Sequence, residues 1–252
     1  MSYSLKGRNV LVTGGSRGLG ALVAERFGAN GANIAINYVT SEHRALETSA
    51  KIEADSKVKT VIIQGDVGSH ADCVRIVMTA IEKLGGLDIV ISNAGWTKFA
   101  SFEDLHGLSE EDWDKCWATN VKGNFHLFRE VLPTFNMNPD GGAFIITSST
   151  AAISATGSSM AYAVSKAAGL HLIKALAQTQ GSKVRINAVL PGFLLTEWGQ
   201  RFSAEQKRAY EDRTVLKRIA TLEDCADVFV TLAKNMSITG QSIPVDGGFI
   251  IR

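Results

Sequence analysis

The stretch Asn9-Val10-Leu11-Val12-Thr13-Gly14-Gly15-Ser16-Arg17-Gly18-Leu19-Gly20 decides the reading of this chain. A short apolar run is cut off by a glycine-rich turn, and a helical pattern over Ala21 to Ala29 follows at once. A turn of this kind, between a strand and a helix, lets the backbone come close to a pyrophosphate and packs the helix tightly on the strand. Gly14, Gly18 and Gly20 do not have the Gly-x-Gly-x-x-Gly spacing, but they serve the same three purposes. Three fixed glycines arise by chance in about 8% of chains of this length. Their place in the first β-α unit is what makes them point to a dinucleotide, with Ser16, Arg17 and Leu19 filling the rest of the loop.

Outward from this unit the same alternation continues. Short β-branched runs at Asn33 to Tyr38, Thr60 to Gln64, Leu87 to Ser92, Ala143 to Ser148 and Val184 to Leu190 alternate with helical patterns. The helices are expected at Glu42 to Ala54, His70 to Lys83, Ser109 to Phe135 and Ala161 to Gln180. Strands this uniformly apolar are covered on both faces, as in a parallel sheet. Right-handed crossovers then give one α/β domain over residues 1–252: a Rossmann-type, doubly wound, mostly parallel sheet of about seven strands, helices on both faces. Two segments, 96–108 and 191–214, follow strands at their carboxyl ends, where an open α/β sheet keeps its ligand crevice. They are the expected walls and lid of a substrate pocket. Trp113, Trp117, Val121, Phe125 and Phe128 recur at helical spacing, which predicts core or subunit contact.

Composition narrows the function. The chain has 252 residues, 45% of them hydrophobic, and 26 Lys+Arg against 25 Asp+Glu leave a net charge of +1. A domain of this size buries roughly 70 to 75% of its unfolded surface, so no disulfide or structural metal is required. The balanced charge argues against a nucleic-acid binder and against membrane-surface attachment. Cys73, Cys116 and Cys225 are scattered and odd in number, which predicts free thiols in a reducing compartment. The first residues lack the apolar core of a signal peptide and no run is long enough to span a bilayer, so a cytoplasmic protein is expected. His43, His70, His106, His126 and His171 form no ligand pattern, and no metal site is expected.

The end of the second strand separates the two nicotinamide cofactors, because an acid there binds the ribose hydroxyls of NAD and repels a 2′-phosphate. Here the chain reads Asn37-Tyr38-Val39-Thr40-Ser41, without an acid, and Arg17 and Arg44 are near in the pattern. Hydroxyls and guanidinium groups suit a phosphate, so NADP(H) is the expected cofactor.

Tyr162 and Lys166 are four apart in a helical segment and share one face. An ammonium and a nicotinium charge beside a phenol favour the phenolate and would lower its pKa toward a useful range. Four tyrosines and 14 lysines make about 0.2 such pairs by chance, so the pair matters only in company. Ser149, thirteen residues earlier and just past a strand, supplies that company.

With these three in place, the chain resembles the short-chain dehydrogenase/reductase family, in its form of about 250 residues, from Lys6 to Arg252. The matching motifs are Thr13 to Gly20, Asp66-Val67, Asn93-Ala94-Gly95, Asn120, Ser149, Tyr162, Lys166, Pro191-Gly192 with Thr196, and Asp246-Gly247-Gly248. Ser92 stands where a second asparagine is commoner, and Ser148 adjoins Ser149; spacing favours Ser149 as the acting hydroxyl. The resemblance implies that Tyr162 gives or takes the substrate proton and Ser149 holds the substrate oxygen. It implies that Lys166 binds the nicotinamide ribose and lowers the Tyr162 pKa, while Asn120 holds a water of the proton relay. Asp66 and Val67 would meet the adenine side, Asn93 to Gly95 the ribose side, and Pro191, Gly192, Leu194 and Thr196 the carboxamide. It also implies a homotetramer, or else a homodimer, paired through the helices that carry Asn120 and Tyr162.

The reaction expected is NADPH-dependent reduction of a ketone or other carbonyl, reversible to alcohol oxidation. Trp96, Phe99, Phe193 and Trp198 fall in the two crevice segments, which points to a hydrophobic small-molecule substrate. Two alternatives stand beside it: a 3-oxoacyl-thioester or polyketide (naphthol) ketone reductase of the same family, and a non-catalytic protein that binds or senses NADPH.

Overall fold

The computed structural model describes residues 3–197, 199 and 203–251. Seven strands form one sheet: β1 (Asn9–Val12), β2 (Asn33–Tyr38), β3 (Thr60–Gln64), β4 (Ile89–Ser92), β5 (Gly142–Thr147), β6 (Val184–Pro191) and β7 (Ser242–Val245). Their order is β3-β2-β1-β4-β5-β6-β7, and every neighbouring pair is parallel. The helices are α1 (Gly18–Ala29), α2 (Glu42–Ser56), α3 (His70–Leu84), α4 (Glu110–Trp117), α5 (Gly123–Met137), α6 (Met160–Gln180), α7 (Ala204–Arg213) and α8 (Leu222–Lys234).

Alternating side chains of the strands feed two cores. Val10, Val12, Ile34, Ile36, Ile89 and Ile91 face one layer, where Val23 and Phe27 of α1, Ile52 of α2 and Phe229 of α8 pack on them. Leu11, Ala35, Val90, Phe144 and Ile186 face the other, against Ile76 of α3, Phe128 and Val131 of α5 and Ile173 of α6. This is period-two patterning buried on both faces. The strand order reverses between β1 and β4, so the loops leaving those strands open a crevice at their carboxyl ends.

The expected single helix from Ser109 to Phe135 is instead three pieces. α4 begins with a capping box at Ser109 and Asp112, a π turn follows over Ala118–Lys122, and α5 continues to Met137. The wide turn inserts extra backbone and rotates everything after it. The predicted aromatic stripe is not one buried face: Phe128 is buried, while Trp113, Trp117 and Phe125 are exposed. The segment 96–108 is irregular throughout, but 191–214 contains α7, capped by a second capping box at Ser203 and Gln206. The three cysteines are buried free thiols. No helix among the described residues is long and apolar enough to cross a membrane.

Candidate active site

The glycine turn is held by side chains beneath it. Gly14 and Gly18 have φ of +61° and +56°, a region that glycine enters without strain. A β-carbon on Gly20 would collide with the Gly14 carbonyl oxygen, so the helix start and the turn touch backbone to backbone. Thr13 is fully buried, and its hydroxyl accepts the N–H groups of Asn93 and Ala94, each at 3.0 Å. Asn93 reaches back to donate to the Thr13 carbonyl at 3.0 Å and accepts from Thr147 Oγ1 at 3.1 Å. The ends of β1, β4 and β5 are thereby tied into one floor.

Two residues expected at the cofactor lie lower than expected. Asn37 is fully buried: it accepts the Gly14 N–H at 3.3 Å and donates to the Ile63 and Gly65 carbonyls. It braces the glycine turn, since its amide is spent on backbone. Tyr38 belongs to the core beside α1 and α2, where burial and the nearby Glu42 carboxylate raise its pKa. Ser41, half-buried, stands just before α2 at the crevice rim. Asp66 accepts the Gly68 N–H at 2.8 Å, and Val67 is buried in the core below it.

The catalytic candidates come together over the ends of β4 and β5. α6 starts at Met160, capped by Ser159, and presents Tyr162 and Lys166 on one face. Lys166 is buried, and its ammonium donates to the Thr147 carbonyl at 2.7 Å. That ammonium lies 5.5 Å from the centre of the Tyr162 ring, above its face. Ser149 shares a hydrogen bond with Tyr162 and is half-buried. The neighbouring Ser148 is buried and donates to the Lys166 carbonyl at 3.3 Å, which makes it a brace of α6. Geometry thus agrees with spacing in setting Ser149 at the open side.

Burial governs both titrating groups. It pushes the Tyr162 phenol up to about 12, with the Ser149 hydrogen bond pulling the other way. It pulls Lys166 down to about 8. In the chain alone, desolvation dominates Tyr162, and the Lys166 ammonium lies over its ring.

Asn120 lies in the π turn and is buried. Its Oδ1 accepts from Trp96 N and its Nδ2 donates to Trp96 O, both at 2.9 Å, and to Ser165 Oγ at 2.9 Å. Ser165 in turn donates to the Tyr162 carbonyl at 2.8 Å, linking Asn120 to α6. A β-carbon on Gly95 would lie 3.3 Å from Lys166 Nζ and 3.4 Å from Asn120 Oδ1. Gly95 keeps the space between the buried ammonium and the Asn120 amide open, and together with the positive-φ glycine turn at the crevice the residues present fit a nicotinamide dinucleotide.

The far wall follows β6. The Phe193 N–H donates to the Tyr210 hydroxyl at 3.0 Å, and Tyr210 stacks on Phe249 with centroids 4.5 Å apart. Asp246 accepts from the N–H groups of Gly248 and Ile250, at 2.9 and 3.0 Å, and packs against Gly192. Leu194 packs on the core beside α1, and Thr196 lies against Gly18. Trp198 lies outside the described residues. Sequence reasoning missed Ser165, Thr147, Tyr210 and Glu197, whose roles come from long-range contacts that no local pattern announces.

Comparison with known proteins shows the family and the fold. The family model described as Enoyl-(Acyl carrier protein) reductase matches residues 14–250. The chain is 31% identical to the 3-oxoacyl-(acyl-carrier-protein) reductase FabG of Staphylococcus epidermidis, covering 96% of this chain and 98% of that one. Its fold is similar to a short-chain dehydrogenase from Burkholderia cenocepacia in complex with NADP, with TM-score 0.89, 31% identity and 98% and 99% coverage. It is also similar to the NADPH-dependent 3-quinuclidinone reductase of Rhodotorula rubra, with TM-score 0.91, 27% identity and 99% and 93% coverage. The chain belongs to the short-chain dehydrogenase/reductase family, oxidoreductases that act on carbonyl and alcohol groups.

Proposed function

We propose that this protein reduces a ketone or related carbonyl with NADPH, with Tyr162 as proton donor and Ser149 as the group that orients the substrate oxygen. The observation that carries the reading is the state of Tyr162: a phenol held protonated by burial, hydrogen-bonded to Ser149, beside a buried Lys166. A neutral phenol is the form that gives a proton to a developing alkoxide, so the reductive direction needs no prior ionisation. NADPH, when bound, supplies the hydride. Lys166, anchored on the Thr147 carbonyl, would hold the ribose, and Asn120, bound to the Trp96 backbone and to Ser165, braces the start of α6 beside it.

The cofactor choice is supported by the absence of an acid at the end of β2, by Arg17 and Arg44 at the rim, and by the NADP-bound and NADPH-dependent relatives. Gly14, Ser16, Arg17, Gly18, Leu19 and Gly20 would hold the pyrophosphate, and Pro191, Gly192, Leu194 and Thr196 the nicotinamide end. Trp96 and Phe193 at the two walls favour an apolar substrate. A second reading, reduction of a 3-oxoacyl thioester, is favoured by the FabG relative and by the matching family model. We place the reaction in the cytoplasm and the assembly as a homotetramer, with a homodimer second.

The test is loss of NADPH absorbance against a panel of apolar ketones, quinones and 3-oxoacyl thioesters. Turnover of ketones with an apolar preference supports the first reading. Turnover confined to thioesters supports the second, and tight NADPH binding without turnover of any class overturns both in favour of a non-catalytic role.

A further inference from the structure

One side chain ties the loop after β6 to the adenosine end of the crevice. Glu197 places Oε2 3.2 Å from Arg17 NH1 and Oε1 2.6 Å from Arg44 NH1. Arg17 belongs to the glycine turn and Arg44 to the first turn of α2, so one carboxylate bridges two elements. Beside it Thr196 lies on the turn: a β-carbon at Gly18 would be 3.6 Å from Thr196 Cγ2. Two oxygens of one acid, each facing a different guanidinium, make the arrangement that a phosphate monoester would adopt between the same donors.

We propose that Glu197 is a stand-in for the 2′-phosphate of NADPH and a determinant of the choice between NADPH and NADH. The inference rests on the NADPH reading above and adds to it a competing group within the chain. All three side chains are between 35% and 61% exposed, so the ion pairs are individually weak and open to exchange. A phosphate monoester carries more charge than a carboxylate and three acceptor oxygens, so it displaces Glu197. The adenosine of NADH brings only hydroxyls to that place and leaves Glu197 bridged.

The exchange has a mechanical consequence. Leu194, Thr196 and Glu197 lie on one loop, and freeing Glu197 releases the part of it that the nicotinamide end requires. NADPH therefore frees the loop as it binds, whereas NADH binds with the loop tied back. Such a linkage is a differential affinity of the 2′-phosphate for the two loop positions.

The experiment titrates wild type and Glu197→Gln with 2′,5′-ADP, 5′-AMP, NADPH and NADH by calorimetry. Hydrogen exchange of Leu194 to Glu197 is followed in the same samples. Removing the competing charge is expected to tighten 2′,5′-ADP and NADPH by about three- to tenfold, the scale of two exposed ion pairs, and to leave 5′-AMP and NADH within about twofold. In wild type, 2′,5′-ADP speeds exchange in the loop and 5′-AMP does not; in Glu197→Gln the exchange is fast from the start. Equal 2′,5′-ADP affinity in the two proteins, or equal tightening of NADPH and NADH, overturns the role of Glu197. If wild type binds 2′,5′-ADP no better than 5′-AMP, the NADPH reading falls and this inference with it.

Discussion

Burial sets the resting state of the two groups that stand four residues apart on α6. Tyr162 is pushed up to about 12 and Lys166 down to about 8, both chiefly by desolvation. A lysine whose folded pKa lies below its unfolded value sheds its proton first in the folded state. Between about pH 8 and the ordinary lysine value of 10.5 the unfolded chain therefore binds more protons, and stability contributed by this group rises with pH. Lys166→Met removes the buried charge, so the variant should melt above wild type at pH 7, and the gap should close by several degrees toward pH 10. Thermal unfolding of the cofactor-free proteins across that range checks it, and a gap independent of pH would mean that Lys166 is not desolvated as described. At this scale the juxtaposition of Tyr162, Lys166 and Ser149 is legible in the sequence, because a helical spacing of four and a serine just past a strand bring them to one crevice. The burial of Asn37 and Tyr38 is not legible there, because a position at a strand end does not say how deep a side chain sits.

Among the elements, the glycine turn and the π turn show the two limits of local pattern. The turn is readable because its constraints are local: Gly14 and Gly18 take positive φ, and Gly20 meets the Gly14 carbonyl. Gly20→Ala forces backbone to move and is expected to cost about 1–3 kcal/mol, seen as a lower urea midpoint, with weakened dinucleotide binding. A variant with unchanged midpoint would mean that the turn yields without cost. The π turn at Ala118–Lys122 has no such local signature. Asn120 is held there by contacts to Trp96 and Ser165, from the loop after β4 and from α6. A period of 3.6 carried through Ser109 to Phe135 consequently runs out of phase beyond Lys122.

For the molecule as a whole, β1 to β6 and most of the helices between them follow from apolar β-branched runs separated by helical periodicity, and crossover handedness gives a doubly wound sheet whose order, β3-β2-β1-β4-β5-β6-β7, comes from the structure. β7 is harder to read, since its four residues, Ser242–Val245, include Pro244 and take their place from pairing with β6. The stripe leaves Trp113, Trp117 and Phe125 between 38% and 43% exposed on α4 and α5, with Val164 of α6 exposed as well. Large apolar side chains grouped on helix faces suit a contact between subunits. Trp117→Glu is expected to lower the assembly state in sedimentation velocity, and a wild type that sediments as a monomer would contradict the proposed assembly.

The central claim is that Tyr162 is the proton donor of an NADPH-linked carbonyl reduction. Its most direct test follows NADPH oxidation by wild type and Tyr162→Phe, with saturating NADPH and a substrate that wild type turns over, alongside fluorescence titration of each with NADPH. The account predicts that Tyr162→Phe binds NADPH within about twofold of wild type while its turnover falls by about 10²- to 10⁴-fold, the scale of a lost general acid. Turnover retained at the wild-type rate with the phenol removed would contradict it.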